Sequence, residues 1–387
     1  MRQPQQEIPR TVMVGERIHR QRTTVGMTVA QLAKLIGVNR NTLTNYESGK
    51  TEPTASDLVR IADALGCDII DLLAETPSVA PRFAFRAHAV LHNDPQITVI
   101  ARKYLRAYRE IEEMAGKTLP LKLMQFPFSP QEIPSNQWIK MAATKTRESC
   151  GIRDCGPENI TYVLESLGVR CLFFYKGKGL DGLSVLQDDM SLVMLRDRNK
   201  AVERIIFSGA HELGHLTLHP HLFTTEPNEE GNERDYEAEA NLFAGYFLVP
   251  SDDLIQVWEE EGLYRLSPVY ALLLLKQVFR VSFWCLYHRV QQEGLVQLDY
   301  PRLVSDVKRL LGIREKAKME DLEPDPLPPK MLQRSTRFAR LVYSAFIQEK
   351  IGIAKVAEMF QITVDEAKRL TAEWMTPKYE LVEPSAV

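Results

Sequence analysis

Residues 207–219 read FSGAHELGHLTLH and lie within an apolar stretch, residues 200–218, whose spacing predicts a helix. His211 and His215 stand four positions apart, so a helix presents both imidazoles on one face, with Glu212 beside them. Two imidazoles at this spacing can bind one zinc ion, and an adjacent carboxylate can act as a general base. The stretch therefore predicts the central helix of a domain that binds Zn2+.

A zinc site that carries out hydrolysis needs a third protein ligand and keeps a fourth position open. One candidate is His221, which lies six residues after His215, as the third ligand of metzincins does. Leu218, however, stands where those enzymes need Gly for the turn, and Pro220 constrains the approach. The alternative is a carboxylate from the following helix.

That helix is predicted at residues 236–248, within DYEAEANLFAGYFLVP, and it ends near Pro250. Glu237 and Glu239 lie about 200 degrees apart around its axis, so they cannot both face the metal. We predict Glu237 as the ligand, with Glu239 as the alternative. Asn241, one turn after Glu237, is predicted to orient a ligand.

Short segments rich in β-branched and aromatic residues precede the histidine helix. Residues 169–175, 182–186 and 191–196 are separated by Gly and Asp turns and predict a small sheet. Most other apolar patterns have helical spacing, including residues 353–374, where we favour a packed helical hairpin over a second helix-turn-helix unit. The predicted fold class is therefore mainly α with a small β-sheet (α+β), with about three strands in the central domain.

Breaks in these patterns divide the chain of 387 residues into four parts. They are an all-α domain at residues 12–74, a linker and connecting helix at 75–135, a central α+β domain at 136–295, and a C-terminal helical region at 296–387. The five cysteines are scattered without CxxC spacing, which is typical of free thiols in a reducing compartment. No stretch approaches the roughly 20 apolar residues of a membrane span. We expect a cytoplasmic protein without a membrane partner.

Residues 32–50 read LAKLIGVNRNTLTNYESGK, which predicts two short helices joined by a tight turn at Gly37. Residues 1–50 carry eight Lys or Arg against three acidic residues, a net charge of +5, so this end of the chain can approach phosphate. For base edges in duplex DNA we predict Arg40, Asn41, Thr44 and Asn45, and for phosphates Ser48 and Lys50. The alternative is a helical module for protein interaction.

Residues 12–74 resemble the Xre/lambda-repressor-like helix-turn-helix family. The matching positions are Leu32, Ala33, Gly37, Glu47, Gly49, Pro53, Leu58 and Ala62. The resemblance implies operator binding as a homodimer, through a helix at about residues 39–47. In the family, the preceding helix often opens with Gln. The corresponding position in this chain is Thr28 or Val29, and the DNA contact expected from that Gln is therefore not predicted.

Residues 136–295 resemble the ImmA/IrrE family of metallopeptidases. The likeness lies in DGLSVLQ (181–187), the FSGAHELGHLTLH helix, the E-x-x-A-N-x-F-A run at 237–244 with the Val-Pro that follows, and FRVSFWCLYHRV (279–290). It implies a zincin-like fold in which the zinc ligands are His211, His215 and Glu237, and in which Glu212 is the base for attack on a peptide carbonyl. Ser208 and Gly209 replace the Thr-Leu pair common before the motif, a departure that spares every ligand.

The resemblance also implies that a peptide substrate adds to an edge of the sheet, and residues 191–196 are the predicted docking strand. The group that stabilises the oxyanion is not assigned. Candidates are Tyr236, His219 and His221.

Together the motifs favour a DNA-binding transcriptional regulator with a zinc metalloendopeptidase domain of the gluzincin type, whose activity can be latent. Its substrate would be a helix-turn-helix repressor or the protein itself, cleaved in response to stress or a phage signal, and the linker at residues 75–95 is the candidate for self-cleavage. One alternative is a non-catalytic regulator, antitoxin-like or ligand-sensing, whose zinc domain is a sensor or scaffold. Another is a peptidase whose N-terminal module only recruits protein substrates.

Overall fold

The computed structural model describes residues 10–73, 95–129, 132–152, 159–174, 181–187, 190–196, 201–223, 234–313, 323–328 and 336–376. Five short helices form the N-terminal unit: α1 (Arg10–Val25), α2 (Val29–Ile36), α3 (Arg40–Glu47), α4 (Ala55–Leu65) and α5 (Ile69–Leu73). Ile18, Leu32, Leu43 and Ile61 are buried in its common core. The predicted all-α character of this end of the chain is confirmed.

The turn between α2 and α3 has the geometry that its sequence predicts. Thr28 begins α2 in a capping box with Gln31, and Gly37 ends it with a φ of 74°. That φ lies in the left-handed region, where a residue with a Cβ is strained. At the far end of α3, the carboxylate of Glu47 accepts a hydrogen bond of 2.6 Å from Nε of Arg22, which fastens α3 to α1.

A single long helix, α6 (Pro95–Ala115), joins the N-terminal unit to the rest of the protein. Its Arg102 is buried against that unit and donates hydrogen bonds to Oε1 of Gln21 at 3.0 Å and to the carbonyl of Leu65 at 3.3 Å. The opposite face of α6, which includes Tyr108, packs in the core beneath the sheet. One helix therefore contacts both the N-terminal unit and the central domain.

The sheet has three strands, β1 (Arg170–Phe174), β2 (Gly182–Gln187) and β3 (Met190–Arg196), in the order β1-β3-β2. β3 pairs parallel with β1 and antiparallel with β2. The predicted sheet of about three strands is confirmed. The prediction that residues 191–196 dock a substrate at a sheet edge is wrong, because β3 has a hydrogen-bonded neighbour on both sides. Among the described strands, the edges belong to β1 and β2.

Helices cover both faces of this sheet, and the side chains of β3 alternate between them as a pleated strand requires. Val193 and Leu195 face the core that contains the histidine helix. Leu192 and Met194 face the core that contains α6 and the C-terminal helices. The helices of the central region are α7 (Asn136–Ser149), α8 (Ile160–Ser166), α9 (Val202–Leu218), α10 (Tyr236–Leu248), α11 (Ser251–Glu260), α12 (Pro268–Phe279) and α13 (Phe283–Gln292). The histidine helix is α9.

The C-terminal helices are α14 (Tyr300–Leu311), α15 (Arg337–Ile347), α16 (Ile353–Phe360) and α17 (Val364–Met375). α15, α16 and α17 share the core of α6 and the second face of the sheet, so the predicted boundary at residue 296 separates segments that pack together. In the described part of the chain, no single helix is long and apolar enough to cross a membrane. The pair α12 and α13 meets that test only together, and it is bent by 106°.

The turn between α16 and α17 resembles the turn between α2 and α3. Gln361 is left-handed, with a φ of 54°, at the position that Gly37 has in the first turn, and Thr363 caps the following helix. The first turn of α17, however, carries Asp365 and Glu366, which would repel phosphate. Since these helices also pack on each other and on α6, we keep the interpretation as a packed hairpin.

Candidate metal centre

Helices α9 and α10 bring His211, His215 and Glu237 to one point. Nε2 of His211 lies 3.0 Å from Nε2 of His215. The two carboxylate oxygens of Glu237 lie 3.3 Å from Nε2 of His211 and 3.5 Å from Nε2 of His215. Among the described residues, this is the group of His, Cys, Asp and Glu side chains that could hold a metal ion.

The geometry of this group fits a small cation with tetrahedral ligands. Zinc binds nitrogen and oxygen at about 2.0–2.1 Å, so the ligand atoms of a tetrahedral site lie roughly 3.3 Å apart. The three separations of 3.0, 3.3 and 3.5 Å bracket that value. Burial lowers the pKa of His215 to about 4, which keeps its imidazole neutral and its lone pair available to a metal.

Each histidine also has a partner on its other ring nitrogen. Nδ1 of His211 lies 2.9 Å from Oδ1 of Asn241, one turn after Glu237 on α10. Since an amide oxygen only accepts, His211 carries its proton on Nδ1 and turns the lone pair of Nε2 toward the metal position. Nδ1 of His215 lies 3.0 Å from Nδ1 of His219 instead.

The other candidate ligands lie elsewhere. Oε2 of Glu239 is 2.9 Å from Nε2 of His219, on the side of α10 away from Glu237. Both ring nitrogens of His219 already face partners, His215 and Glu239, so neither is available to an oxyanion on a substrate. Nε2 of His221 lies 3.3 Å from the hydroxyl of Tyr236, and both of these side chains are half-buried. The structure thus leaves His221 and Tyr236 as the candidates for the oxyanion.

Glu212 lies on the face of α9 that meets β2. It is 1% exposed, and a Cβ added to Gly182 would come within 2.9 Å of its Cγ and Oε1. The edge strand therefore passes directly over the carboxylate because Gly182 has no side chain. Of the three side chains at the centre, Glu237 is the most exposed, at 36%.

The side chains predicted to contact DNA all lie on the surface of α3 and the turn after it. Arg40, Asn41, Thr44, Ser48 and Lys50 are exposed, and Asn45 is half-buried. The hydroxyls of Thr44 and Ser48 already donate to backbone carbonyls of preceding residues. Arg40 and Asn41 stand at the N-terminal end of α3, the end that enters the major groove in helix-turn-helix proteins.

Comparisons with known proteins identify both regions. Residues 18–72 match the family model described as Helix-turn-helix, and residues 164–291 match the IrrE N-terminal-like domain of a peptidase family. The chain carries a helix-turn-helix domain and an IrrE-like domain. The two resemblances predicted from the motifs are therefore confirmed, and the N-terminal unit is a DNA-binding domain.

One curated relative is the cryptic phage CTXphi transcriptional repressor RstR of Vibrio cholerae serotype O1. It is 42% identical over 59 residues, which make up 15% of this chain and 53% of the relative. This chain thus spans about half the length of that relative. The crystal structure of ComR from Streptococcus suis covers 95% of this chain and 97% of its own at 13% identity, with a TM-score of 0.17, too low to show a shared fold.

Two features of the IrrE-like domain were not predicted from the sequence. The first is the set of polar side chains behind His215, formed by His219, Glu239 and Arg234. The sequence does contain an indication of this set, because His219 stands four residues after His215 and therefore lies on the same helical face. The second is the close approach of Gly182 to the histidine helix. It depends on strand order, which local residue spacing does not reveal.

Proposed function

We propose that this protein is a transcriptional regulator whose IrrE-like domain is a zinc-dependent peptidase, and that its substrate is a helix-turn-helix repressor cleaved in response to stress or a phage signal. The observation that carries the proposal is the arrangement of His211, His215 and Glu237 at tetrahedral spacing, with the buried carboxylate of Glu212 beside them. A structural zinc site uses four protein ligands, whereas three ligands and a neighbouring base are typical of hydrolytic sites.

In this proposal, zinc supplies Lewis acidity, which lowers the pKa of water and polarises a peptide carbonyl. Glu212 takes the proton from the attacking water and later passes it to the leaving amine. His221 or Tyr236 donates a hydrogen bond to the oxygen that gains charge. The near-complete burial of Glu212 excludes bulk water and strengthens these interactions.

The proposed docking strand is β2, in place of β3. β2 pairs with β3 on one side and is an edge of the described sheet. A peptide that added to it would extend the sheet through main-chain hydrogen bonds. Because Gly182 begins β2 directly over Glu212, the scissile bond would pass close to the base.

Gly182→Ala is expected to lower peptide cleavage about 100-fold, because the new Cβ displaces the carboxylate of Glu212 and small misplacements of a catalytic group cost about that much. The added atom would lie 2.9 Å from Cγ and Oε1 of Glu212, a side chain that can shift without unfolding the domain. The measurement is kcat/KM on a peptide, with zinc content unchanged. Gly352→Ala, which meets nothing within 4 Å, is the control. Full activity in Gly182→Ala would contradict a catalytic role for the Glu212 carboxylate in the position that it takes against Gly182.

The contact between α6 and the helix-turn-helix domain supports a separate repressor as the substrate. The linker candidate for self-cleavage, residues 75–95, lies outside the described residues except for Pro95. Arg102 follows that linker and is buried against the helix-turn-helix domain, through Gln21 and Leu65. A cut in the linker alone would leave this contact intact, so cleavage there would not by itself release the DNA-binding domain.

DNA binding in this proposal is that of a homodimer on an operator with two half-sites, as helix-turn-helix proteins commonly bind. The similarity to the phage repressor supports a role in repression. The peptidase would then connect this regulator to the removal of a second repressor.

The proposal is tested first by the metal content of the full chain after dialysis against limiting zinc. We expect about one zinc ion per wild-type chain and none in His215→Ala, because that substitution removes one of three protein ligands. His288→Ala, which removes an exposed histidine outside the group, is the matched control and should keep its zinc. A wild-type chain without zinc, or equal zinc in His215→Ala, would refute the metal centre.

A further inference from the structure

A connected set of buried polar side chains lies behind His215. Nδ1 of His219 is 3.0 Å from Nδ1 of His215, and Nε2 of His219 is 2.9 Å from Oε2 of Glu239. Arg234 donates to both oxygens of Glu239, from Nε at 2.6 Å and from one terminal nitrogen at 2.8 Å. It also donates to the carbonyl of Ser129 at 2.9 Å. All three side chains beyond His215 are buried.

The positions of the protons in this set follow from its anionic end. Arg234 donates to both oxygens of Glu239, so this carboxylate acts as an acceptor of hydrogen bonds. His219 must therefore carry its proton on Nε2, which donates to Glu239. Its Nδ1 is then an acceptor, and the neighbouring Nδ1 of His215 must be the donor. That leaves Nε2 of His215 without a proton, facing His211 and Glu237.

We propose that His219, Glu239 and Arg234 are positioning residues that hold His215 in the one tautomer able to bind the metal. The inference rests on the proposed function, since it assumes that the group of His211, His215 and Glu237 binds a cation. If the tautomer of His219 were reversed, its Nδ1 proton would face His215 and move the proton of that ring to Nε2. The metal-facing lone pair would then be lost.

A purely structural role accounts less well for these residues. A buried carboxylate and guanidinium lose their hydration, and an apolar pair of similar volume often stabilises a fold equally well. A chain of directional hydrogen bonds that ends on a ligand instead sets a ring orientation and a tautomer, which apolar packing cannot do. Nδ1 of His211 faces the neutral amide of Asn241, whereas Nδ1 of His215 faces a chain of hydrogen bonds that ends on an ion pair.

The test is the zinc affinity of Glu239→Gln, measured by competition with a chromogenic chelator. The side-chain amide of Gln can donate to Nε2 of His219 and stabilise the wrong tautomer, so we expect zinc binding to weaken by about 10- to 100-fold. Glu259→Gln, a substitution of an exposed glutamate on α11, is the matched control and should bind zinc like the wild type. Thermal unfolding of the metal-free proteins shows whether Glu239→Gln loses only stability.

An unchanged zinc affinity in folded Glu239→Gln would overturn the inference. If that variant does not fold, the wild-type protein still decides the question through the 15N shifts of its labelled histidines without metal. We expect the Nε2–H form of His219 and the Nδ1–H form of His215, and the reverse pair would refute the proposal. If the wild type binds no zinc, the proposed function fails. The tautomers of His215 and His219 are measured without metal, so that measurement tests the inference separately.

Discussion

Glu212→Gln is expected to lower peptide cleavage by about 10^2- to 10^4-fold, the usual contribution of a general base, while zinc stays bound. The substitution keeps the size and hydrogen-bonding shape of the side chain but removes its ability to take a proton. Glu212 does not belong to the group of His211, His215 and Glu237, so the metal content should not change. The assay uses the full chain loaded with zinc and a proteome-derived peptide library, with products identified by mass spectrometry.

Three controls make this result specific. Glu259→Gln should cleave the library like the wild type, because that residue is exposed on α11. His215→Ala should lose cleavage together with zinc. Binding of the protein to DNA should be the same in Glu212→Gln and the wild type. If Glu212→Gln cleaves as well as the wild type, Glu212 is not the general base and the proposed mechanism is wrong.

The histidine helix could be predicted because its chemistry depends on spacing along one element. Once residues 202–218 form a helix, the turn of 3.6 residues fixes the relative directions of His211, Glu212 and His215. The same rule separates Glu237 from Glu239 on α10. It does not say what the second carboxylate contacts, and Arg234 reaches Glu239 across the start of that helix.

Strand order could not be predicted in the same way. β2 and β3 are adjacent in sequence and pair as a hairpin, which a short connection favours. The alternation of side chains does not tell which of the two pairs with β1. β3 takes that place and becomes the central strand, which leaves β2 at the edge over Glu212. The error in the docking strand therefore came from long-range pairing, while the strand segments themselves were correct.

The packing partner of the C-terminal helices could not be predicted, for a related reason. Their apolar stripes predict that α15, α16 and α17 bury one face, but periodicity does not name the partner. In the structure the partner is the face of the sheet opposite α9, together with α6. Because α6 also contacts the helix-turn-helix domain, the DNA-binding domain and the sheet share one helix. Any change in the position of α6 would therefore alter its contacts with both the DNA-binding domain and the sheet.

The double substitution Arg40→Ala, Asn41→Ala is expected to weaken binding to the operator by about 2–6 kcal/mol, or roughly 30-fold to 10^4-fold, since each bidentate contact with a base contributes about 1–3 kcal/mol. Both side chains are exposed at the N-terminal end of α3 and contribute nothing to the buried core of the domain. The operator is first selected with the wild-type protein from a random-sequence duplex library. Affinity is then measured on that duplex and on a scrambled one at fixed salt.

Specific and non-specific contacts respond differently in this measurement. The double variant should lose the difference between selected and scrambled duplex, whereas Lys50→Ala should weaken both about equally and reduce the salt slope by about one. Arg302→Ala, which removes an exposed arginine on α14, is the control for charge alone. If the double variant still distinguishes the two duplexes, α3 does not read the bases. If the wild type selects no sequence at all, the N-terminal domain serves protein recognition, and the peptidase reaches its substrate through it.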